Sequence, residues 1–421
     1  MNRWIPTPPS SSTLGDHAVP IDGDHLAGKR IALLITGGIA AMKAPTLARS
    51  LRRQGAEVTA FISDEGLRYV TVDTLAWSTN RPVISKLSSR AEHLSGEERF
   101  DAYLVAPATY NTINKMACGI ADGVITATLA SALGRMERGS CSVIVCPTMH
   151  GSMHTQILTE SIEKLQRFGV TVVPPRDDYG KHNLPDDEPI VMAVSSAVST
   201  SPLRGKRIIV TGGPVSSPID AVRRLNSKFT GALGIAIAKD LALSGADVQL
   251  ILGAGSLPAP NWINCRIAET VGDYRRLVLE TLAMAPHHCA VLSAAVSDFE
   301  PSEVRSGKVK TSDGQWTLQL RPTAKVIDAV HDQFPQLHIV GFKYEENSSH
   351  DALMETARAR AALHGSCIAN RGEENPPGAP HIAWLAVPGR DPLRIEGKPA
   401  IARAIRVHLE QLASTHHMAH L

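Results

Sequence analysis

The residues best placed to do chemistry follow short apolar runs. The run at 31–35 stops at Thr36, Gly37 and Gly38, with Ile39 and Ala40 opening what should be a helix. Small residues there leave backbone N–H groups and the positive end of the helix dipole open to a phosphate; a tight turn with no ligand is the alternative. The next run ends in Ser63, whose hydroxyl is either a second phosphate ligand or a helix cap. A third ends at Pro107, Ala108 and Thr109, followed by Asn111, Thr112 and Asn114. Amides and hydroxyls clustered after a strand suit the edge of a flat polar heterocycle, or else Thr109 only caps a helix. In the second half Gly212 and Gly213 close another apolar run, and Asp298 follows a strand end, where open α/β sheets form ligand crevices. Lys308 and Lys310 alternate across a β-like stretch, so that one face presents both ammonium groups to an anion or both are simply solvated. His93, read alone, is a loop histidine.

Positioning these groups takes two similar scaffolds. GKRIALLITGG at 28–38 returns as GKRIIVTGG at 205–213, and each is followed by a helical stretch and a strand entered through Gly-Ala-acid-Val, at 55–58 and 245–248. Two β-α-β openings half a chain apart predict an α/β protein with two Rossmann-like three-layer domains. Strands are expected at 31–35, 58–62, 102–106, 142–146 and 170–173, then at 208–210, 248–252, 289–292, 338–342, 366–369 and 382–386, with a helix near 401–412. The expected organisation is a disordered Pro/Ser-rich tail over 1–27, a first domain over 28–194, a small polar linker over 195–205 and a second domain over 206–421.

Composition narrows the partners. The 421 residues are 43% hydrophobic, and 43 Lys plus Arg nearly balance 41 Asp plus Glu, which argues against a nucleic acid or an anionic membrane surface and favours small molecules. The six cysteines form no C-x-x-C pair, as fits reduced thiols. No apolar stretch reads as a secretion signal or a membrane span, so a cytoplasmic location is expected.

TGGIAAMK at 36–43, the APAT segment with its following Asn, Lys and GIAD at 106–122, and P-x-M-x-x-x-M at 147–153 together resemble the flavin-dependent cysteine decarboxylase family over nearly all of 28–194. The resemblance implies a flavodoxin-like domain holding FMN through Gly37, Gly38, Ile39, Ala40, Ser63, Ala108, Thr109 and Asn111. It implies a base at His93, eight residues before Asp101, that assists oxidation of a cysteine side chain before CO2 is lost. His150 and Met153 then meet the substrate. Two departures bear on the outcome. The family's asparagine in P-x-M-N-x-x-M is His150 here, which alters the substrate pocket. The family's flap cysteine is missing from 174–189, which points to oxidative release of an enethiol.

The second half is similar to phosphopantothenate-cysteine ligases, on TGGPVSSPIDAVRRLNSKFTGALG at 211–234, SAAVSDFEP at 293–301, GKVK at 307–310, VGFKYEE at 340–346 and IAN at 368–370. That resemblance implies activation of a carboxylate by CTP with Mg2+ and attack by the amine of cysteine, chemistry that needs cations beside two anions. It assigns nucleotide contacts to Gly212, Gly213, Asp298, Lys308, Phe342 and Lys343, catalysis to Lys310, and substrate contacts to Asn226, Ser227 and Asn370. Here Asn226 stands one position early, Ser227 takes its aligned place, and the basic residue after Gly231 is Ala232.

Together the two resemblances imply a bifunctional enzyme that couples cysteine to a 4′-phosphopantothenate-like acid and decarboxylates the product on FMN. A specialised paralogue acting oxidatively on another acid, and a non-catalytic FMN-binding regulatory subunit, are the alternatives. Trimers of the first domain and dimers of the second are the expected assembly.

Overall fold

Apolar runs closed by small residues become parallel strands in both halves of the chain. The computed structural model describes residues 6–94, 99–376 and 378–418, which fall into two units, Met1–Ser199 and Thr200–Leu421. In the first unit the sheet strands are β1 (Arg30–Ile35), β2 (Glu57–Ile62), β3 (Ala102–Ala108), β4 (Ser142–Pro147) and β5 (Thr171–Val172). Their order is β2-β1-β3-β4-β5 and every pairing is parallel, as in flavodoxin-like folds. Around them run α1 (Ala44–Arg53), α2 (Val72–Thr79), α3 (Tyr110–Ala117), α4 (Val124–Met136), α5 (Gln156–Arg167) and α6 (Asp187–Val198). Because side chains alternate along a strand, Ala32, Leu34, Tyr103, Val105, Val143 and Val145 share one face, which packs on Ile113, Leu129 and Leu165 of α3, α4 and α5. Helices α1 and α6 pack together and against β2, β3 and β4. Strands covered on both sides need unbroken apolar runs, which explains RIALLI rather than an alternating pattern.

The second unit contains β6 (Arg207–Gly212), β7 (Asp247–Gly253), β8 (Asn264–Ala268), β9 (Cys289–Leu292), β10 (His338–Glu345), β11 (Gly365–Arg371), β12 (Ile382–Ala386) and β13 (Leu393–Glu396). The order is β8-β7-β6-β9-β10-β11-β12-β13, a Rossmann-like arrangement extended by β12 and β13, which join antiparallel. Its helices are α7 (Ala232–Leu243), α8 (Val271–Met284), α9 (Val326–Gln333), α10 (His350–His364) and α11 (Lys398–Met418). Ile208 and Val210 pack with Ile237 of α7 and Ile401 and Ile405 of α11, whereas Ile209 packs with Val278 of α8 and Val330 of α9. Three layers result.

Three expectations need correction. The described part of the tail is docked rather than loose near its end: Val19 and Leu26 are buried, and the Leu26 N–H donates to the Gln54 carbonyl at 2.8 Å. One apolar side chain at 0% exposure outweighs the Pro/Ser-rich composition around it. Residues 195–198, expected in the linker, complete α6, with Ser195 and Val198 buried. Strands β8 and β13 lie outside the expected set, and β10 runs on to Glu345. Among the described residues no helix is long and apolar enough to cross a membrane.

Candidate active sites

In each unit a cavity opens where parallel strands end and helices begin. The first, about 1180 Å³, is lined by Gly37, Gly38, Ile39, Ala40, Ser63, Thr109, Asn111, His150 and Met153, all singled out in the sequence. Gly38 precedes the short helix Ile39–Lys43 in extended conformation with no side-chain cap, so among the described residues its first N–H groups have no capping side chain. A Cβ on Gly37 would lie 2.4 Å from Glu65 Cβ, so only glycine fits this approach. The Thr36 hydroxyl donates to the Pro107 carbonyl at 2.7 Å and fastens the β1 turn to the β3 turn. Ser63 Oγ accepts from the Gly66 N–H at 3.1 Å, and the residue lines the cavity. Thr109 likewise caps α3, accepting from the Thr112 N–H, and lines the cavity. An orphaned N–H cradle beside hydroxyls and amides in a cavity of this volume fits the phosphate and ring of a flavin nucleotide.

Two expected first-unit residues lie elsewhere. Ala108 is fully buried in β3 and supports the cavity from beneath. His93 sits on a single turn, Glu92–Leu94, that packs on α4; it does not line the cavity, and its Nδ1 is buried without a hydrogen-bond partner among the described residues. His150 Nδ1 is tied to Ser152, accepting its N–H at 3.2 Å, so the ring caps the turn at 151–153 as well as facing the cavity. Other residues of the segments at 106–122 and 174–189 also line it. Lys115 is paired with Asp122 at 2.6 Å and holds that carboxyl below the usual range through its hydrogen bond. Lys181, His182 and Asn183 arrive on a hairpin strand too short and exposed to show periodicity.

The second cavity, about 940 Å³, collects Gly213, Asn226, Ser227, Asp298, Phe342, Lys343 and Asn370. Its floor is built by close backbone approach: a Cβ on Gly234 of α7 would lie 2.8 Å from Gly212 Cα, so Gly212 is packing rather than lining. Beneath it Thr211 is fixed, its hydroxyl accepting from Tyr274 at 3.0 Å and from the Ala294 N–H at 3.2 Å. Burial pushes the Tyr274 phenol up to about 12, so it stays a donor. Asp298 is ion-paired with Lys325, Lys343 with Glu345 at 2.7 Å, and Asn370 Nδ2 lies 3.4 Å from His381 Nε2. Burial, then Lys398, holds His381 below its ordinary value. Ser227 Oγ is buried and unpartnered among the described residues.

Lys308 and Lys310 are exposed and outside this cavity. The residue between them explains why: the Val309 N–H donates to Asp220 Oδ2 and its carbonyl accepts from Arg223, each at 3.3 Å, which pins the stretch away from the strand ends. The cations that do line the cavity are Lys325, Lys343, Arg360 and Lys398. Of these only Lys343 was legible, because the others lie on a loop and helices outside the apolar strand pattern.

Residues 21–199 match the flavoprotein family model, and 203–373 match that of the DNA/pantothenate metabolism flavoprotein C-terminal domain. The coenzyme A biosynthesis bifunctional protein CoaBC of Thermococcus kodakarensis is 35% identical over 347 residues, 81% of this chain and 84% of that protein. The chain belongs to the coenzyme A biosynthesis bifunctional protein family. A Bacillus subtilis member is 30% identical over 336 residues, 76% of this chain and 80% of that protein. A solved structure, the DNA/pantothenate metabolism flavoprotein from Streptococcus pneumoniae, aligns with 49% of this chain and 99% of its own at TM-score 0.44 and 23% identity. Membership in the family assigns one domain model to each unit, so each cavity belongs to its own half of a bifunctional protein.

Proposed function

We propose that the chain couples cysteine to 4′-phosphopantothenate with CTP in its second unit and decarboxylates the cysteinyl product with FMN in its first, as an enzyme of coenzyme A biosynthesis. The observation that carries this reading is the pairing of two strand-end cavities, one per family domain, in a single chain related to CoaBC over most of its length.

In the second unit, Asp298 beside Lys325 offers an acceptor to a nucleobase amine, and Lys343, Arg360 and Lys398 supply positive potential for a triphosphate and an acid phosphate. Ala232 leaves no cation after Gly231, and Arg360 is the lining residue that offsets that loss. The acid's carboxylate attacks the α-phosphorus, pyrophosphate leaves, and the cysteine amine then displaces the nucleotide. Lys310 is assigned to the developing charge in this step, which requires the exposed 302–308 stretch and its continuation to fold over the nucleotide. Mg2+ is assigned to the triphosphate itself, since the ion keeps most of its shell for phosphate and water.

In the first unit, the Gly37–Ala40 turn, Ser63, Thr109 and Asn111 would hold FMN, which when bound supplies two-electron oxidation of the cysteinyl thiol. His150 and Met153 border the space left for substrate. His93 is assigned as base from a neighbouring copy, an assignment supported by its position outside its own chain's cavity, and this calls for a homo-oligomer of first units. Purified protein given CTP, Mg2+, cysteine and 4′-phosphopantothenate should release pyrophosphate and then CO2, with both products visible by mass spectrometry. Pyrophosphate release with other acids but not this one would move the chain to specialised metabolism, and failure to take up FMN would sink the decarboxylase assignment.

A further inference from the structure

The first cavity contains a feature that the assignments above leave unused. Strands Arg176–Asp178 and Lys181–Asn183 form a tight hairpin whose two-residue turn, Tyr179 and Gly180, has both φ values positive, at 51° and 68°. The second strand pairs with Met149–His150. The Gly151 N–H donates to the Gly180 carbonyl at 3.0 Å, and a Cβ on Gly151 would lie 2.5 Å from that oxygen, so the hairpin is fastened to the P-x-M segment by a contact only glycine permits. This places His182 in the wall of the cavity.

His182 is held from both sides. Its Nδ1 lies 2.5 Å from Asp177 Oδ1, and its Nε2 lies 2.8 Å from Nδ1 of His154. The two rings are 4.9 Å apart between centroids. His154 is exposed, so the pair His182–His154 runs from the cavity wall to solvent. With Nδ1–H donated to the Asp177 carboxylate, Nε2 is the atom that takes a proton from His154 and, once the exposed His154 ring swings off it, gives that proton into the cavity, with the carboxylate orienting the acid–base imidazole. His150, the other imidazole in the wall, has its Nδ1 on Ser152, and among the described residues no carboxylate is hydrogen-bonded to that ring and no cysteine lines the cavity.

We propose that His182, oriented by Asp177 and recharged through His154, is the proton donor that converts the enethiolate left by CO2 loss into the thioaldehyde from which a saturated thiol forms. The proposal rests on the decarboxylase reading of the first unit. In the step the N–H bond at Nε2 breaks and a C–H bond forms at the carbon that carried the carboxylate. The sulfur lone pair closes a C=S bond as the C=C pair takes the proton. No electrons are exchanged with the cofactor; a saturated product needs in addition the two electrons that the proposed thiol oxidation leaves on the flavin. This replaces the oxidative outcome that the missing flap cysteine implied.

The test follows the full chain with FMN and 4′-phosphopantothenoylcysteine in D2O. Wild type should give the saturated aminoethanethiol carrying solvent deuterium on the former carboxylate-bearing carbon. His182→Gln should shift the product ratio, per CO2 released, towards the enethiol by about tenfold or more, and Asp177→Asn by a smaller factor in the same direction. Asp177 is 71% exposed, so its variant reports on the relay even if His182→Gln misfolds. On flavin-free protein, NMR of 15N-labelled histidine should show a hydrogen-bonded Nδ1–H for His182 that is lost in Asp177→Asn, a signal independent of turnover. An unchanged product ratio in both variants, or only enethiol from wild type, overturns the relay alone. Absence of CO2 release from wild type removes the decarboxylase reading and the relay with it.

Discussion

The two cavities differ in which of their expected residues they gather. The flavin-side cavity holds every expected cofactor contact except Ala108, but lacks His93. The nucleotide-side cavity holds the strand-end contacts, yet leaves Lys308 and Lys310 outside. In both, residues at the ends of buried strands are placed by the sheet, because the parallel register fixes where each strand stops. Residues carried on excursions are placed by local clamps instead: the α4 contact for His93, and the Asp220 and Arg223 bonds for Val309. Strand-end residues therefore line their cavities as a group, whereas excursion residues divide: His182 and Lys325 line a cavity, while His93 and Lys310 do not.

The sharpest way to break this contrast is His93→Asn. Removing a general base of the assigned role should lower CO2 release by about 10²–10⁴-fold while the protein still purifies yellow. Mixed oligomers of His93→Asn with a chain altered at Asn111 should regain part of the activity, and no recovery would end the neighbouring-copy assignment. Lys310→Ala comes next, with an expected loss of about a hundredfold in pyrophosphate release, roughly 3 kcal/mol of transition-state charge stabilisation. If release is unchanged, Lys325 and Lys398, already in the wall, carry that charge. For the strand ends the expected loss is in stability: a Cβ on Gly253 would sit 1.8 Å from the Pro214 carbonyl oxygen. Gly253→Ala should cost the second unit about 3 kcal/mol, read as a lower urea midpoint for that unit's transition.

The smallest effect concerns the clamp. Burial of Asp220 opposes its charge, but the N–H groups of Val222, Arg223 and Val309 and the Arg223 guanidinium outweigh it and hold the carboxyl at about 2, below the ordinary 3.8. A depressed folded pKa gives stability that is complete above about pH 4 and is lost as pH falls towards 2. Asp220→Asn should lower the urea midpoint of the second unit at neutral pH and flatten its fall over that acid window. Parallel curves for variant and wild type would show that the clamp does not hold the segment.

Buried strands were the most legible part of the chain. Cys289–Leu292 and Ile382–Ala386 have the extents expected from their apolar runs. Asn264–Ala268 was not visible, because an edge strand in which only Ala268 is buried has no run to mark it, and Leu393–Glu396 keeps only Ile395 inside. Leu26 shows the converse: one buried side chain in a polar stretch carries no period. The site followed the same rule. Glycines and hydroxyls at strand ends were readable, whereas Lys325, Arg360, Lys398 and the hairpin with His182 reach their cavities through tertiary placement that no local pattern encodes.

The strands at 149–150, 176–178 and 181–183 form a small sheet that, among the described residues, has no ladder bond to the parallel sheet beneath. Apart from Met149, which is packed into the core beneath, its residues can therefore be exchanged without disturbing the packing that seats a cofactor. Under the role proposed for His182, the choice between a reduced and an unsaturated product rests on the interchangeable cartridge at 176–183, free to diverge at a different pace from the scaffold that carries it.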